Sequence, residues 1–255
     1  MSRPKYIAGN WKMHLTKRRA STLARDVVAA VDSANPAVKI AVFPTFVHLD
    51  HVRRNIKNSN IILGAQNCYG KKEGAFTGEI SPYMLRDMGV KVVMLGHSER
   101  RHVFGETDDM IFEKVKIALR AKIDVMLCVG ETIEERRAGD TFKVLAKQLK
   151  VLKVVKPTQT SRVTVAYEPV WAIGTGETAT PQIAQEAHAE CRRLVGEILG
   201  EEAAADIQIL YGGSMNGGNA ANLLSQPDVD GGLVGGASLS AANFSPIIDA
   251  ASASS

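Results

Sequence analysis

The sequence predicts an α/β chain folded as a single (β/α)8 barrel. Three observations carry this. Short apolar runs rich in Val and Ile alternate with longer amphipathic stretches along the chain, the pattern of buried parallel strands joined by helical crossovers. About eight such units follow one another with no break in composition. The polar residues with chemistry to offer stand just after the strand-like runs, at the end where a barrel builds its site. A doubly wound open sheet is the alternative with the same local pattern. The barrel domain is expected over residues 1–249, and the small, polar tail 250–255 is expected to fray.

The first expected strand is Tyr6–Trp11, followed by a helix over Thr16–Ala34 and strands at Lys39–Phe43 and Ile61–Ala65. The fourth strand is Val92–Leu95. The helix after it, Asp108–Ala121, begins on an acid, where the helix dipole favours one. Asp124–Val129 is the fifth strand, and the helix Thr141–Val155 stops ahead of Pro157. After the sixth strand, Val163–Tyr167, a helix over Thr180–Leu199 has Pro181 in its first turn and Gly200 just past its end. Ile207–Tyr211 and Gly231–Val234 complete the set.

Charge and composition exclude several classes. The 31 basic and 27 acidic residues leave a net charge of +4, scattered without a long run, which argues against a nucleic-acid partner. No apolar run is long enough to span a bilayer, and the N-terminus shows no secretory h-region. Three cysteines, Cys68, Cys128 and Cys191, with no CxxC pair suit a reducing compartment. A cytoplasmic protein is expected.

The stretch Ala166–Ala179, AYEPVWAIGTGETA, points to the chemistry. Pro169 biases Glu168 toward extended geometry, so this lone acid sits where the sixth strand ends and a loop begins. That is the place for a general base. The following segment, with Pro169–Val170–Trp171 at one end and Glu177–Thr178–Ala179 at the other, reads as a lid, and Gly174 offers an N–H to an anion. Gly174, Gly176 and Ala179 match a GxGxxA dinucleotide pattern. That reading fails, because the glycines come seven residues after the strand rather than in a tight strand-to-helix turn.

Other residues fall at the same end. Asn10 and Lys12 alternate with Trp11, so both polar side chains face one side at the end of the first strand. Lys12 suits an oxyanion or a phosphate, or a Schiff base if desolvated. His97 follows the fourth strand in GHSERR, with Ser98 as the expected helix N-cap and nearby helix N–H groups favouring a neutral ring. Ser214, in YGGS, and the pair Gly235–Gly236 follow the seventh and eighth strands, where barrels hold phosphate. His48 and His51 lack a third ligand and read as a solvated helix face, so no metal is expected. The long loop 66–79, QNCYGKKEGAFTGE, reads as a dimer contact.

These motifs in order resemble the triosephosphate isomerase family over essentially the whole chain: GNWKM at 9–13, FPT at 43–45, AQN at 65–67, GAFTGE at 74–79, GHSERR at 96–101, CVGE at 128–131, AYEPVWAIGTG at 166–176, YGGS at 211–214 and LVGGASL at 233–239. The resemblance implies interconversion of dihydroxyacetone phosphate and D-glyceraldehyde 3-phosphate without a cofactor. It assigns Glu168 as base, His97 as the neutral group that polarises the carbonyl, and Lys12 with Asn10 as substrate ligands. It gives the phosphate to backbone amides of Gly174, Ser214, Gly235 and Gly236, makes Glu99 a supporting acid, and has Thr77 reach the Asn10 and Lys12 region of a second subunit in a homodimer. Two residues depart from the family pattern. Glu177 stands where a lysine is common, and His14 where the first motif often has Asn. Two other functions remain open from the residues: a Schiff-base aldolase using Lys12, tested by borohydride trapping, and a non-catalytic phosphosugar sensor, tested by an isomerase assay.

Overall fold

The computed structural model describes residues 3–31, 38–173 and 179–254. Its strands are β1 (Tyr6–Asn10), β2 (Lys39–Phe43), β3 (Ile61–Ala65), β4 (Val92–Leu95), β5 (Asp124–Val129), β6 (Val163–Tyr167), β7 (Ile209–Tyr211) and β8 (Gly231–Val234). Each pairs in parallel with the next, and β8 pairs with β1 through Tyr6 opposite Gly231. That last pairing closes the sheet and excludes the open doubly wound alternative.

The helices outside the barrel are α1 (Lys17–Val31), α2 (Leu49–Ile56), α3 (Pro82–Asp87), α4 (Ser98–His102), α5 (Asp108–Arg120), α6 (Ile133–Arg137), α7 (Thr141–Leu149), α8 (Pro181–Leu199), α9 (Glu201–Asp206), α10 (Ala220–Leu224) and α11 (Ala241–Ala253). Their ends follow from local chemistry. Thr107 caps α5 by accepting from Met110 N, and Thr132 with Glu135 forms a capping box on α6. Thr180 caps α8, which has Pro181 at its start and Gly200 in a left-handed conformation (φ 95°) past its end. The buried face of α8 is Ala184, Ala187, His188, Cys191, Leu194 and Val195, one stripe at helical spacing.

Two concentric cores result from strand alternation. Tyr6, Ala8, Phe43, Met94, Met126, Cys128, Ala166 and Leu210 fill the lumen. Ile7, Val42, Val93, Leu95, Val125, Leu127 and Val165 face outward into the layer shared with the helices. Full burial of one such aliphatic side chain contributes about 1.5–3 kcal/mol. A surface ion pair contributes about 0–1 kcal/mol, so the cores dominate stability. At the N-terminal end of the barrel, Arg192 on α8 bridges Asp228 and Asp230 at 2.5 and 2.6 Å, and Arg3 reaches Asp230 at 2.7 Å.

Some boundaries differ from expectation for physical reasons. Lys12 turns the chain with φ 48°, so β1 ends at Asn10, although Trp11 N still donates to Phe43 O at 3.1 Å. Ile207 N donates to Ala203 O, which makes Ile207 the cap of α9 and delays β7 to Ile209. Beyond Leu149 the expected helix tightens into a 3-10 stretch, Lys150–Val154. Residues 250–253, in the tail set apart from the barrel by composition, are the last turn of α11, with Ala251 fully buried.

Candidate active site

Strand alternation delivers two of the functional side chains. The inward set Tyr6, Ala8 continues to Asn10, and Ala166 continues to Glu168. Both Asn10 and Glu168 are buried at the C-terminal mouth. Asn10 Oδ1 accepts from Lys12 N at 2.9 Å and so holds the left-handed turn at Lys12. A non-glycine residue in that conformation costs energy and is typical of functional sites. The turn sends Lys12 Nζ to within 2.6 Å of Glu99 Oε1.

Gly96, at φ 74°, breaks the alternation after β4 and swings His97 over the mouth. His97, not Ser98, is the N-cap of α4: its Nδ1 accepts from Glu99 N at 3.2 Å. The nitrogen that accepts cannot carry the proton, so this contact assigns the proton of a neutral ring to Nε2. Nε2 lies 3.0 Å from Glu168 Oε1 and 3.3 Å from Asn10 Nδ2. Ser98 N donates to Glu168 Oε2 at 2.8 Å. Both carboxylate oxygens of Glu168 are therefore engaged.

Burial by itself would raise the Glu168 pKa, but the His97 imidazole and the Ser98 amide outweigh it, and the carboxyl lies below its usual range. Burial by itself would lower the His97 pKa, but the Glu168 carboxylate outweighs it, and the net shift is upward. The expected preference for a neutral ring thus has its cause in place, the amide N–H at Nδ1, but the adjacent carboxylate opposes it.

These side chains line one cavity of about 310 Å³, together with Ser214, Gly235 and Gly236. A Cβ at Gly236 would meet nothing within 4 Å, so its backbone is open to an anion. Ser214 is committed elsewhere: its N and Oγ both donate to Ala172 O, at 3.0 and 2.9 Å. Gly174 and Glu177 lie outside the described residues. Thr77 is exposed on the 66–79 loop and does not line this cavity. His48 is buried rather than solvated, with Nε2 3.1 Å from Leu15 O. Among the described residues no group of three His, Cys, Asp or Glu side chains is placed to hold a metal.

Sequence reasoning missed several supports of the site. The Ser98 amide was masked by its expected role as a cap. Gly212, in the YGGS motif after β7, makes room for the acid: a Cβ there would lie 2.7 Å from Glu168 Cγ. The motif at 128–131 runs off the end of β5, a position that could have flagged it. Its Glu131 is buried and accepts from Tyr167 OH at 3.1 Å and Trp171 Nε1 at 3.0 Å.

A buried carboxylate in contact with an imidazole, in a cavity with an ammonium group and open backbone at its rim, places the chain among the acid–base enzymes built on the barrel fold. The triosephosphate isomerase family model matches residues 5–251. The chain belongs to that family. It is 48% identical to the triosephosphate isomerase of Chloroherpeton thalassium over 98% of this chain and 99% of that one. It is 49% identical to those of Endomicrobium trichonymphae and Carboxydothermus hydrogenoformans, over 95% and 96% of this chain and 96% and 98% of theirs.

Proposed function

We propose that this mouth interconverts dihydroxyacetone phosphate and D-glyceraldehyde 3-phosphate through an enediol(ate), with Glu168 as the proton-transferring base. The reaction is that of the family. The observation that carries the residue assignment is the convergence of Glu168, His97 and Lys12, from three separate strand ends, on one buried cavity.

Glu168 takes the proton from the carbon beside the carbonyl and returns it to the neighbouring carbon. For this it must leave His97 and Ser98, which together hold its pKa down. Once they are left behind, burial is the largest remaining influence and raises basicity, while the Lys12 charge opposes it. The same movement frees His97 of the carboxylate that raises its pKa. Burial, the Lys12 charge and the Glu99 N–H at Nδ1 then favour the neutral ring against the Glu99 carboxylate, and its Nε2–H donates to the substrate oxygen. Lys12 stabilises the negative charge that develops there, with Asn10 holding its turn. Glu99 supports Lys12 as its ion-pair partner. Backbone N–H groups of Gly235 and Gly236, with Ser214 once released from Ala172 and Gly174 of the lid, take the phosphate. No cofactor enters this scheme. The aldolase reading is disfavoured because Lys12 is ion-paired with Glu99 instead of lying in an apolar pocket. A coupled isomerase assay on the purified protein tests the activity, and absence of turnover would return the non-catalytic reading.

The enzyme is further proposed to be a homodimer in which the 66–79 loop, with Thr77 at its tip, reaches the Asn10 and Lys12 region of a second copy. Met13 and Val47, in the segments after β1 and β2, are 92% and 79% exposed, apolar surface that a second copy could cover. Sedimentation showing a monomer at micromolar concentration would reject the dimer. Among the described residues no helix is long and apolar enough to cross a membrane, and all three cysteines are free. The free thiols support a cytoplasmic location.

A further inference from the structure

The segment Cys128–Glu131 puts no side chain into the cavity, yet Glu168 rests on it. Ladder pairing between β5 and β6 ends at Val129 opposite Tyr167. Past that point Glu168 N donates to Val129 O at 2.7 Å, and Val170 N donates to Glu131 O at 3.1 Å. Gly130 lies between these two bonds. A Cβ there would overlap the Glu168 carbonyl, so the two backbones are in direct contact.

What holds Gly130 is a side chain from outside the barrel. Gln148, buried on α7, accepts from Gly130 N through Oε1 at 2.7 Å and donates to Gly130 O through Nε2 at 3.1 Å. One carboxamide thus brackets one residue, taking the place of the ladder that has just ended. Only a carboxamide supplies a donor and an acceptor from one planar group here. A carboxylate only accepts, and an aliphatic chain leaves both Gly130 groups buried and unpaired.

We infer that Gln148 is a positioning residue for proton transfer, fixing through Gly130 the point from which the Glu168 side chain springs. This rests on the reading of Glu168 as the base. A base displaced by even about 1 Å loses about 100-fold in rate, so the clamp acts on the chemical step. The proposed phosphate ligands Ser214, Gly235 and Gly236 belong to the turns after β7 and β8, and Gln148 hydrogen-bonds to none of them, so their hold on substrate is spared.

The test uses full-length Gln148→Met, which keeps length and burial but loses both hydrogen bonds, beside wild type and Glu168→Gln. Expected for Gln148→Met is a kcat lower by at least about ten-fold, with KM and the inhibition constant of inorganic phosphate within about two-fold of wild type. If Gln148→Met does not fold, Gln148→Asn replaces it. Its amide is one methylene too short to bracket Gly130, and the same split between kcat and KM is expected. A kcat within about two-fold of wild type, or kcat and KM weakening together, overturns the inference. A Glu168→Gln enzyme with wild-type kcat overturns the reading of the base instead, so the two failures are distinguishable.

Discussion

Glu168 Oε1 lies 3.0 Å from His97 Nε2 with both side chains buried, so the proposed base at rest is bonded to the imidazole proposed to assist it. At rest the Glu168 carboxylate is satisfied by His97 and the Ser98 amide. Substrate must compete with those contacts, and its phosphate, bound away from the reacting carbons, supplies binding energy for doing so.

Glu168→Gln removes the proposed base and keeps the shape. The amide oxygen can still accept from Ser98 N or His97, so the fold and the phosphate cradle stay intact. Steady-state kinetics are expected to show kcat lower by at least about 100-fold, the scale of a general base, while inorganic phosphate still inhibits. Near-normal kcat would reject the assignment.

The pair also sets a pH window for stability. His97 has its folded pKa raised above 6.5, so its contribution is full below 6.5 and is lost as pH rises through the folded value. Glu168 has its folded pKa lowered below 4.5, so its contribution is present above 4.5 and is lost as pH falls through the folded value. Both contributions are full only between those two unfolded values. The stability difference between wild type and His97→Gln, from urea midpoints across a pH series, is expected to peak between 4.5 and 6.5 and narrow on either side. A flat difference would dissociate the pair.

His188 titrates in the opposite sense. Burial lowers its pKa to about 4, against the hydrogen bond that its Nδ1 donates to Asp228 O at 3.1 Å. Its Nε2 has no partner among the described residues, and its ring packs against those of Tyr167 and Tyr211. The group is therefore neutral when folded. Its stabilising contribution is present above 6.5 and is lost as pH falls toward about 4. A shift of this size corresponds to about 3 kcal/mol. His188→Asn, which keeps a donor for Asp228 O but cannot titrate, is expected to be less stable at neutral pH and to show a shallower loss of stability between pH 6.5 and 4. An unchanged acid slope would remove His188 as its source.

Much of this was readable from residue pattern alone, because β/α alternation and strand-end placement are local properties. Tyr6, Ala8 and Asn10 share one face by alternation, and that placed Asn10 at the mouth. Other features depend on tertiary contact. Ser98 looks like a cap by type, but the Gly96 turn gives that position to His97 and frees the Ser98 amide for Glu168. Gln148 is one polar residue in an amphipathic helix until the end of β5 is placed beneath it. His48 reads as solvated on a helix face, yet the chain at Leu15 folds over it. The tail reads as frayed by composition, and only packing against the barrel shows why Ala251 is helical and buried.

Gly64 on β3 carries a packing prediction for the lumen. A Cβ there would lie 2.5 Å from Cδ1 and Cε1 of Phe43, whose ring is fully buried under the mouth. The ring belongs to the lumen core and has no exposed direction in which to move. Gly64→Ala is therefore expected to destabilise by about 1–3 kcal/mol, the cost of overpacking a filled core. Each kcal/mol lowers the melting temperature by roughly 2–4 °C in a chain of this size. Phe43→Leu alone is expected to destabilise by opening a cavity, but combined with Gly64→Ala it makes room for the new methyl. The double variant should therefore be more stable than the sum of the two single losses predicts. Thermal melts of the four proteins measure this coupling, and strict additivity would show that the ring does not fill the space that glycine leaves.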